Sequence, residues 1–81
     1  MKLIYSPGYL RAYRKLTPEI RELVDKQCAI LAIDPHYPSL RTHKRRGEGE
    51  VWQARITGNY RLFFTMEGDT ITLLTVGPHE K

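Results

Sequence analysis

One stretch of the chain, residues 39–64, concentrates side chains that bind phosphate or carry protons. It holds a basic run with a histidine, followed by two further arginines: Arg41, His43, Lys44, Arg45, Arg46, Arg55 and Arg61. Arginine stays protonated and its planar fork matches two phosphate oxygens, while histidine exchanges protons near neutral pH. The stretch therefore predicts a surface that handles phosphate groups.

The charge of the whole chain agrees with a polyanionic partner. Thirteen Lys and Arg stand against nine Asp and Glu, which gives a net charge of +4 and a pI near 9.5. The cations cluster in residues 1–18 and 41–61, whereas the acids lie mainly in 19–34 and 67–80. A clustered positive field favours either nucleic acid or an acidic protein as the partner.

Length and composition limit the remaining classes. With 81 residues the chain is predicted to form one domain, 1–81. Its single cysteine, Cys28, excludes an internal disulfide, and the three histidines have no metal-ligand spacing, so we predict no metal and no cofactor. The N-terminal segment is too short and polar for a signal peptide, and no apolar run is long enough to cross a membrane. The sequence predicts a cytoplasmic protein without a membrane partner.

Two helix starts follow a short strand. Residues Lys2–Tyr5 are predicted to form a strand. Ser6 then supplies a hydroxyl N-cap and is followed by a proline, and this pattern predicts a helix over 8–16. Thr17 repeats the same signal and predicts a second helix over Pro18–Ile33. This helix ends before a proline, because the residue that precedes proline resists helical dihedrals.

The second half of the chain predicts strands. Residues 36–50 show little periodicity, and the segments 51–57, 60–66 and 70–76 then read as strands joined by glycine-containing turns, with 77–81 as a tail. The predicted order is β-α-α-β-β-β. We therefore expect an α+β fold in which an antiparallel sheet carries both helices on one face.

Alternation along these strands assigns their two faces. We expect the helix-facing side to consist of Trp52, Ala54, Ile56, Tyr60, Leu62 and Phe64. Arg55 and Arg61 then share the open face of the sheet. Cys28 falls in the apolar stripe of the second helix and is predicted to be a core residue.

The element order and the string WQARITGNYRLFF (52–64) resemble the RelE/ParE superfamily of bacterial toxins, and most of all its HigB-like and YoeB-like ribonucleases. The resemblance covers nearly the whole chain. It implies a toxin that a separate antitoxin neutralises, in a toxin–antitoxin hetero-oligomer. It also implies a ribosome-dependent endoribonuclease that cleaves messenger RNA in the ribosomal A site and so inhibits translation.

The same resemblance implies roles for individual residues. Arg61 matches the arginine at the scissile phosphate, His79 matches a histidine just after the last strand, and His43 resembles a loop histidine that some members add to the site. Contacts to the RNA phosphates are expected from a further basic set: Arg41, Lys44, Arg45, Arg46 and Arg55.

These residues can carry out RNA cleavage without a metal. A base takes the proton of the ribose 2′-hydroxyl, which attacks the adjacent phosphorus, and an acid protonates the departing 5′-oxygen. The hypothesis assigns the extra negative charge to Arg61 and the proton steps to His79 and His43, with His79 favoured as acid and His43 as base. The order of the two histidines stays open at this point.

The sequence also departs from its relatives. HigB-like members often end in an acidic residue, an aromatic residue and a histidine, where this chain has Gly77-Pro78-His79. The strand lysines of RelE, the glutamate base of YoeB and a tyrosine after the last strand have no counterpart here. Two alternatives therefore stay open: a ParE-like toxin that inhibits DNA gyrase, or a catalytically degenerate relative that binds its antitoxin. A small RNA-binding domain without chemistry is a third.

Overall fold

Two helices cover one face of a five-stranded sheet in the computed structural model, which describes residues 1–45, 47 and 49–78. The elements follow the chain as β1 (Lys2–Tyr5), α1 (Pro7–Arg14), α2 (Pro18–Ile33), a 3-10 helix (Pro38–Leu40), β2 (His43–Lys44), β3 (Trp52–Arg55), β4 (Tyr60–Glu67) and β5 (Thr70–Pro78). The strands lie side by side in the order β1-β5-β4-β3-β2. The α+β class and the placement of both helices on one face are confirmed.

Side-chain caps start both helices where the sequence predicted them. The backbone N–H of Tyr9 donates to Ser6 Oγ at 3.1 Å, and the N–H of Ile20 donates to Thr17 Oγ1 at 3.3 Å. A proline follows each cap, and its fixed φ suits the first helical position. In the described part of the chain, no helix has both the length and the apolar character that a membrane span needs.

The sheet is mixed, which corrects the predicted antiparallel arrangement. β1 pairs with β5 in parallel, with Leu3 opposite Ile71 and Tyr5 opposite Leu73. The other neighbouring strands are antiparallel. The two helices carry the chain back after β1, so that the first strand can join the last one in the same direction, whereas tight turns between β3, β4 and β5 impose antiparallel pairing.

The connection predicted to be irregular contains structure of its own. Within 36–50, the 3-10 helix inserts Leu40 into the core with no exposed surface, and β2 then pairs with β3. The last strand is longer than predicted and reaches Pro78, because Gly77 pairs with Arg61 and Pro78 with Tyr60. A two-residue strand has no periodicity, and a strand end held by its partner leaves no local signal.

The core lies between the helices and the sheet. Its fully enclosed side chains come from α2, the 3-10 helix, β3, β4 and β5: Val24, Leu31, Leu40, Ala54, Leu62, Phe64, Ile71 and Leu73. α1 contributes Tyr9 as its buried residue, whereas Leu10 is exposed. The alternation in β3 and β4 is confirmed, and it leaves Arg55 and Arg61 on the other face.

Candidate phosphate-binding site on the open face of the sheet

A shallow depression of about 330 Å³ lies on the sheet face that the helices leave uncovered. Its lining consists of Arg41, His43, Gln53, Arg55 and Arg61, which we call the cationic pocket. Among the described residues, no acidic side chain lines this pocket. Four of these five residues, all except Gln53, were assigned to the site from the sequence. They span positions 41 to 61, so the fold brings together residues up to 20 positions apart.

The register of the sheet explains this convergence. Arg55 on β3 stands directly opposite Arg61 on β4, and His43 on β2 stands directly opposite Gln53 on β3. Residues that face each other across neighbouring antiparallel strands project to the same side. The result is two adjacent rows of polar side chains on one face of the sheet.

Arg61 is held in place by the turn that precedes it. Its Nη1 donates to three backbone carbonyl oxygens, those of Thr57 at 2.6 Å, Gly58 at 3.2 Å and Tyr60 at 3.1 Å. These bonds fix the guanidinium before any ligand binds. They also occupy Nη1, so the edge formed by Nε and Nη2 is the one left to bind two oxygens of a phosphate.

Arg55 lies beside the same turn. Its Nη2 is 3.8 Å from the point that a Cβ on Gly58 would occupy. In the described part of the chain, neither Arg55 nor Arg61 forms an ion pair with an acidic side chain, and the one ion pair there joins Lys44 to Glu50. Two uncompensated guanidinium groups on opposed residues produce a local field that favours a polyanion.

His43 adopts one defined ring orientation. Its Nδ1 lies 2.9 Å from the backbone carbonyl oxygen of Arg41. A carbonyl oxygen only accepts, so Nδ1 carries the hydrogen, and the neutral ring then has its lone pair on Nε2. This tautomer can accept a proton at Nε2, which is the property that a general base requires.

Arg41 positions this histidine through its backbone. It follows the 3-10 helix with φ 49° and ψ 42°, a left-handed conformation that a side chain with a Cβ rarely adopts. The buried Leu40 anchors the chain on one side of this bend, and the pairing of His43 with β3 anchors it on the other. The bend therefore presents both the Arg41 side chain and the carbonyl that orients His43.

The remaining basic residues separate between the two faces. Lys44 stands opposite Trp52 on the helix-facing side, where its Nζ lies 3.5 Å from Glu50 Oε2 and 5.9 Å from the Trp52 ring. It therefore does not line the cationic pocket. Arg45 lies on the open face, with its Cζ 4.7 Å from the centre of the Phe63 ring. Arg46 and His79 lie outside the described residues.

Two residues of this region carried no functional signal in the sequence. Gln53 completes the cationic pocket as its uncharged member. Gln27, a buried residue of α2, donates from Nε2 to the carbonyl oxygen of Arg55 at 2.8 Å. The alternation in β3 predicted the face of Gln53, whereas the contact of Gln27 depends on tertiary packing across 28 residues.

Cys28 is a core residue, as its position predicted. It is 6% exposed, its Sγ lies 3.8 Å from Tyr9 Oη, and burial raises the pKa of its thiol to about 11. A thiol with this pKa stays protonated at neutral pH and is a poor nucleophile. Within residues 1–45, 47 and 49–78, no group of His, Cys, Asp and Glu side chains could hold a metal ion.

Comparison with solved structures places this architecture among bacterial and archaeal toxins. The "YoeB/ParE toxin" from Agrobacterium tumefaciens superimposes with a TM-score of 0.82 at 16% identity and covers 99% of this chain and 100% of its own. The intact RelBE toxin–antitoxin complex of Escherichia coli gives 0.77 at 22% identity, with 99% and 98% covered. The archaeal RelE–RelB complex of Pyrococcus horikoshii gives 0.78 at 20%, with 95% and 92% covered.

This is the RelE/ParE-like toxin fold. The similarity extends over nearly the full length of both chains, so it includes the strands that carry the cationic pocket. At the level of sequence no protein-family model and no curated protein matches the chain. The resemblance first noted in residues 52–64 thus corresponds to a shared RelE/ParE-like architecture.

Proposed function

We propose that this protein is the toxin of a toxin–antitoxin pair and acts as an endoribonuclease that cleaves messenger RNA on the ribosome, in the cytoplasm. The observation that carries the proposal is the cationic pocket, which His43 lines together with Arg41, Arg55 and Arg61. Arginine forks bind phosphate oxygens, and a histidine with its lone pair on Nε2 can take a proton from a ribose. A RelE/ParE-like fold supports the same assignment.

The proposed reaction is a transesterification within the RNA. His43 Nε2 accepts the proton of the 2′-hydroxyl, and the 2′-oxygen forms a bond to phosphorus while the bond from phosphorus to the 5′-oxygen breaks. His79 donates a proton to that leaving oxygen. The products are a 2′,3′-cyclic phosphate and a free 5′-hydroxyl, and the reaction assigns no step to a metal ion.

Arg61 is assigned to the charge that develops on the phosphorane. The three carbonyl contacts at Nη1 hold its guanidinium in place, so no reorganisation is needed as the charge builds up. Arg55 and Arg41 bind the flanking phosphates. Arg45 and Arg46 are assigned further contacts to RNA phosphates, and Lys44 contributes least because it lies on the helix-facing side.

An antitoxin protein is the proposed cellular partner. The matched Escherichia coli structure is a toxin–antitoxin complex. An antitoxin with acidic side chains over the cationic pocket would neutralise the opposed arginines and exclude RNA in one step. We propose a hetero-oligomer of this kind.

Cleavage of a defined messenger RNA by the purified protein tests the function. The assay compares translating ribosomes with naked RNA and maps the new ends, and Arg61→Ala and His79→Ala proteins run beside the wild type. Cuts that need the ribosome, carry 5′-hydroxyl ends and disappear in both variants support the proposal. A protein that arrests growth without cutting RNA contradicts it, and inhibition of supercoiling by DNA gyrase would then identify the ParE-like alternative.

A further inference from the structure

An aromatic side chain lies on the open face next to the cationic pocket. Phe63 follows Arg61 by two residues on β4, so both project to the same side of the sheet. Its partners in the register are Gln53, which lines the cationic pocket, and Thr75 on β5. Phe63 is partly exposed, unlike the fully enclosed Phe64 beside it in the sequence.

A second depression, of about 500 Å³, opens beside this ring. Its lining is Phe63, Thr75, Val76, Gly77 and Pro78, which we call the aromatic pocket. Gly77 stands directly opposite Arg61 in the sheet. In the described part of the chain, a Cβ placed on Gly77 would meet no atom within 4 Å, so these residues leave open space next to the arginine.

The ring already takes part in a stacking contact. The guanidinium carbon of Arg45 lies 4.7 Å from the centre of the Phe63 ring, a cation–π arrangement. Unpaired RNA bases stack on both kinds of group, aromatic rings and arginine planes. Single-stranded nucleic acid is commonly held by this combination of a cationic path for the backbone and an aromatic ring for a base.

We infer that the aromatic pocket is a nucleobase subsite, which binds the base of the nucleotide adjacent to the phosphate held by Arg55 and Arg61. The inference rests on the proposed function, since it takes RNA as the ligand. The base stacks against Phe63, and the absence of a side chain on Gly77 gives the ribose-phosphate room to pass. The lining offers one side-chain hydroxyl, on Thr75, so the subsite selects mainly by stacking and accepts several bases.

The alternative is a purely structural role, in which Phe63 shields the sheet from solvent and Arg45 packs over its ring. The two hypotheses predict different effects of an added side chain at Gly77 on RNA affinity. Gly77→Val adds volume where the structure has open space and a β-strand backbone that valine favours, so the fold tolerates it. The added side chain fills the subsite without removing any contact of Phe63. If Phe63 has only a structural role, Gly77→Val should therefore leave the RNA affinity unchanged.

Photo-crosslinking and affinity measurements on an uncleavable RNA test the inference. The probe is a set of short RNAs with a 2′-O-methyl group at the cleaved ribose and one 5-iodouridine, moved through successive positions. We expect one position, next to the modified ribose, to crosslink to Phe63. We expect Phe63→Leu to abolish this crosslink and to weaken binding roughly tenfold, and Gly77→Val to weaken it similarly. Thr65→Val, on the same face but outside both pockets, should change neither.

The outcomes separate this inference from the proposed nuclease activity, because binding of the uncleavable RNA needs no chemistry. A crosslink that maps to Phe63 in a protein that never cuts RNA supports the subsite and contradicts the nuclease. Ribosome-dependent cutting with unchanged RNA affinity in Phe63→Leu and Gly77→Val overturns the subsite alone. Equal crosslinking at every position overturns it as well.

Discussion

Arg55 and Arg61 face each other directly across β3 and β4, and in the described part of the chain no carboxylate neutralises either of them. Like charges at directly opposed positions of a sheet destabilise it. The two guanidinium groups therefore repel each other at the place where the proposed ligand binds. A phosphate between the two guanidinium groups would convert that repulsion into attraction.

Removing one member of this pair should stabilise the fold. We expect Arg55→Gln to raise the free energy of unfolding by about 0.5 kcal/mol at low salt, with the gain shrinking in 1 M salt as the repulsion is screened. Urea denaturation at the two salt concentrations measures this. Lys44→Gln is the matched control, because it removes one cation from the helix-facing side of the same sheet.

The same pair of variants separates the two faces in RNA binding. Arg55→Gln should reduce the slope of log affinity against log salt by about 1, as the loss of one phosphate contact predicts. Lys44→Gln should leave the slope nearly unchanged. Equal slopes for both variants would contradict the assignment of phosphate binding to the open face.

Arg61 should matter through its charge and through its fork. We expect Arg61→Ala to lower the cleavage rate about a hundredfold, roughly 3 kcal/mol of transition-state stabilisation. Arg61→Lys keeps the charge but cannot hold the turn carbonyls and a phosphate at once, so it should recover only part of the loss. Single-turnover cleavage on ribosomes measures both, and a wild-type rate in the alanine protein would refute the role.

His43 should behave as a base that a small molecule can replace. His43→Ala is expected to lower the cleavage rate at least about a hundredfold, and added imidazole should restore part of it. His36→Ala is the matched control, because His36 packs edge-on against Trp52, with ring centres 5.9 Å apart, and does not line the cationic pocket. If imidazole fails to rescue and the product ends are unchanged, His43 binds the RNA without transferring a proton.

Gln27 should support the site from the opposite side of the sheet. Gln27→Met fills a similar volume but leaves the carbonyl oxygen of Arg55 without its donor, which should cost about 1–3 kcal/mol of stability. Thermal unfolding gives the cost. Ala29→Ser, an exposed change on the same helix, provides the baseline. A Gln27→Met protein as stable as the wild type would mean that the hydrogen bond contributes no net stability.

The buried thiol should make stability depend on alkaline pH. The pKa of Cys28 rises from its ordinary value of 9.0 to about 11 in the folded protein, through burial. The folded state therefore keeps a proton that the unfolded chain loses, so this stabilising contribution is complete below pH 9 and is lost as the pH rises through 11. Cys28→Ala should be less stable than the wild type at pH 7.5, and the difference should shrink at pH 10.5.

The elements that were predicted correctly from the sequence depend on interactions between residues close together in the chain. The hydroxyl caps at Ser6 and Thr17 act within three residues, and the alternation in β3 and β4 follows from the backbone pleat. These local rules were sufficient to place Arg55 and Arg61 on the open face. They also placed Gln53 there, although its type gave no reason to assign it a function.

The features that could not be predicted from the sequence depend on contacts between residues that lie far apart in the chain. β2 consists of two residues, which exist as a strand because β3 lies beside them, and Lys44 is turned away from the site by that pairing. The left-handed bend at Arg41 follows from the anchoring of Leu40 and β2 rather than from a glycine. The hydrogen bond that fixes the tautomer of His43 depends on this bend, so no pattern of residue types could have predicted it.

The parallel pairing of β1 with β5 has a consequence for how the protein is made. β5 lies between β1 and β4 and is the last of the five strands in the chain. The edge strand β1 can therefore join the rest of the sheet only after β5 has been synthesised. Contacts between ends of the chain this far apart form late and slowly. While the chain grows, the hairpin of β3 and β4 can form, but its apolar side has no completed layer to pack on. The cationic pocket should therefore become rigid only when residues 70–78 have emerged and β5 has paired with β4.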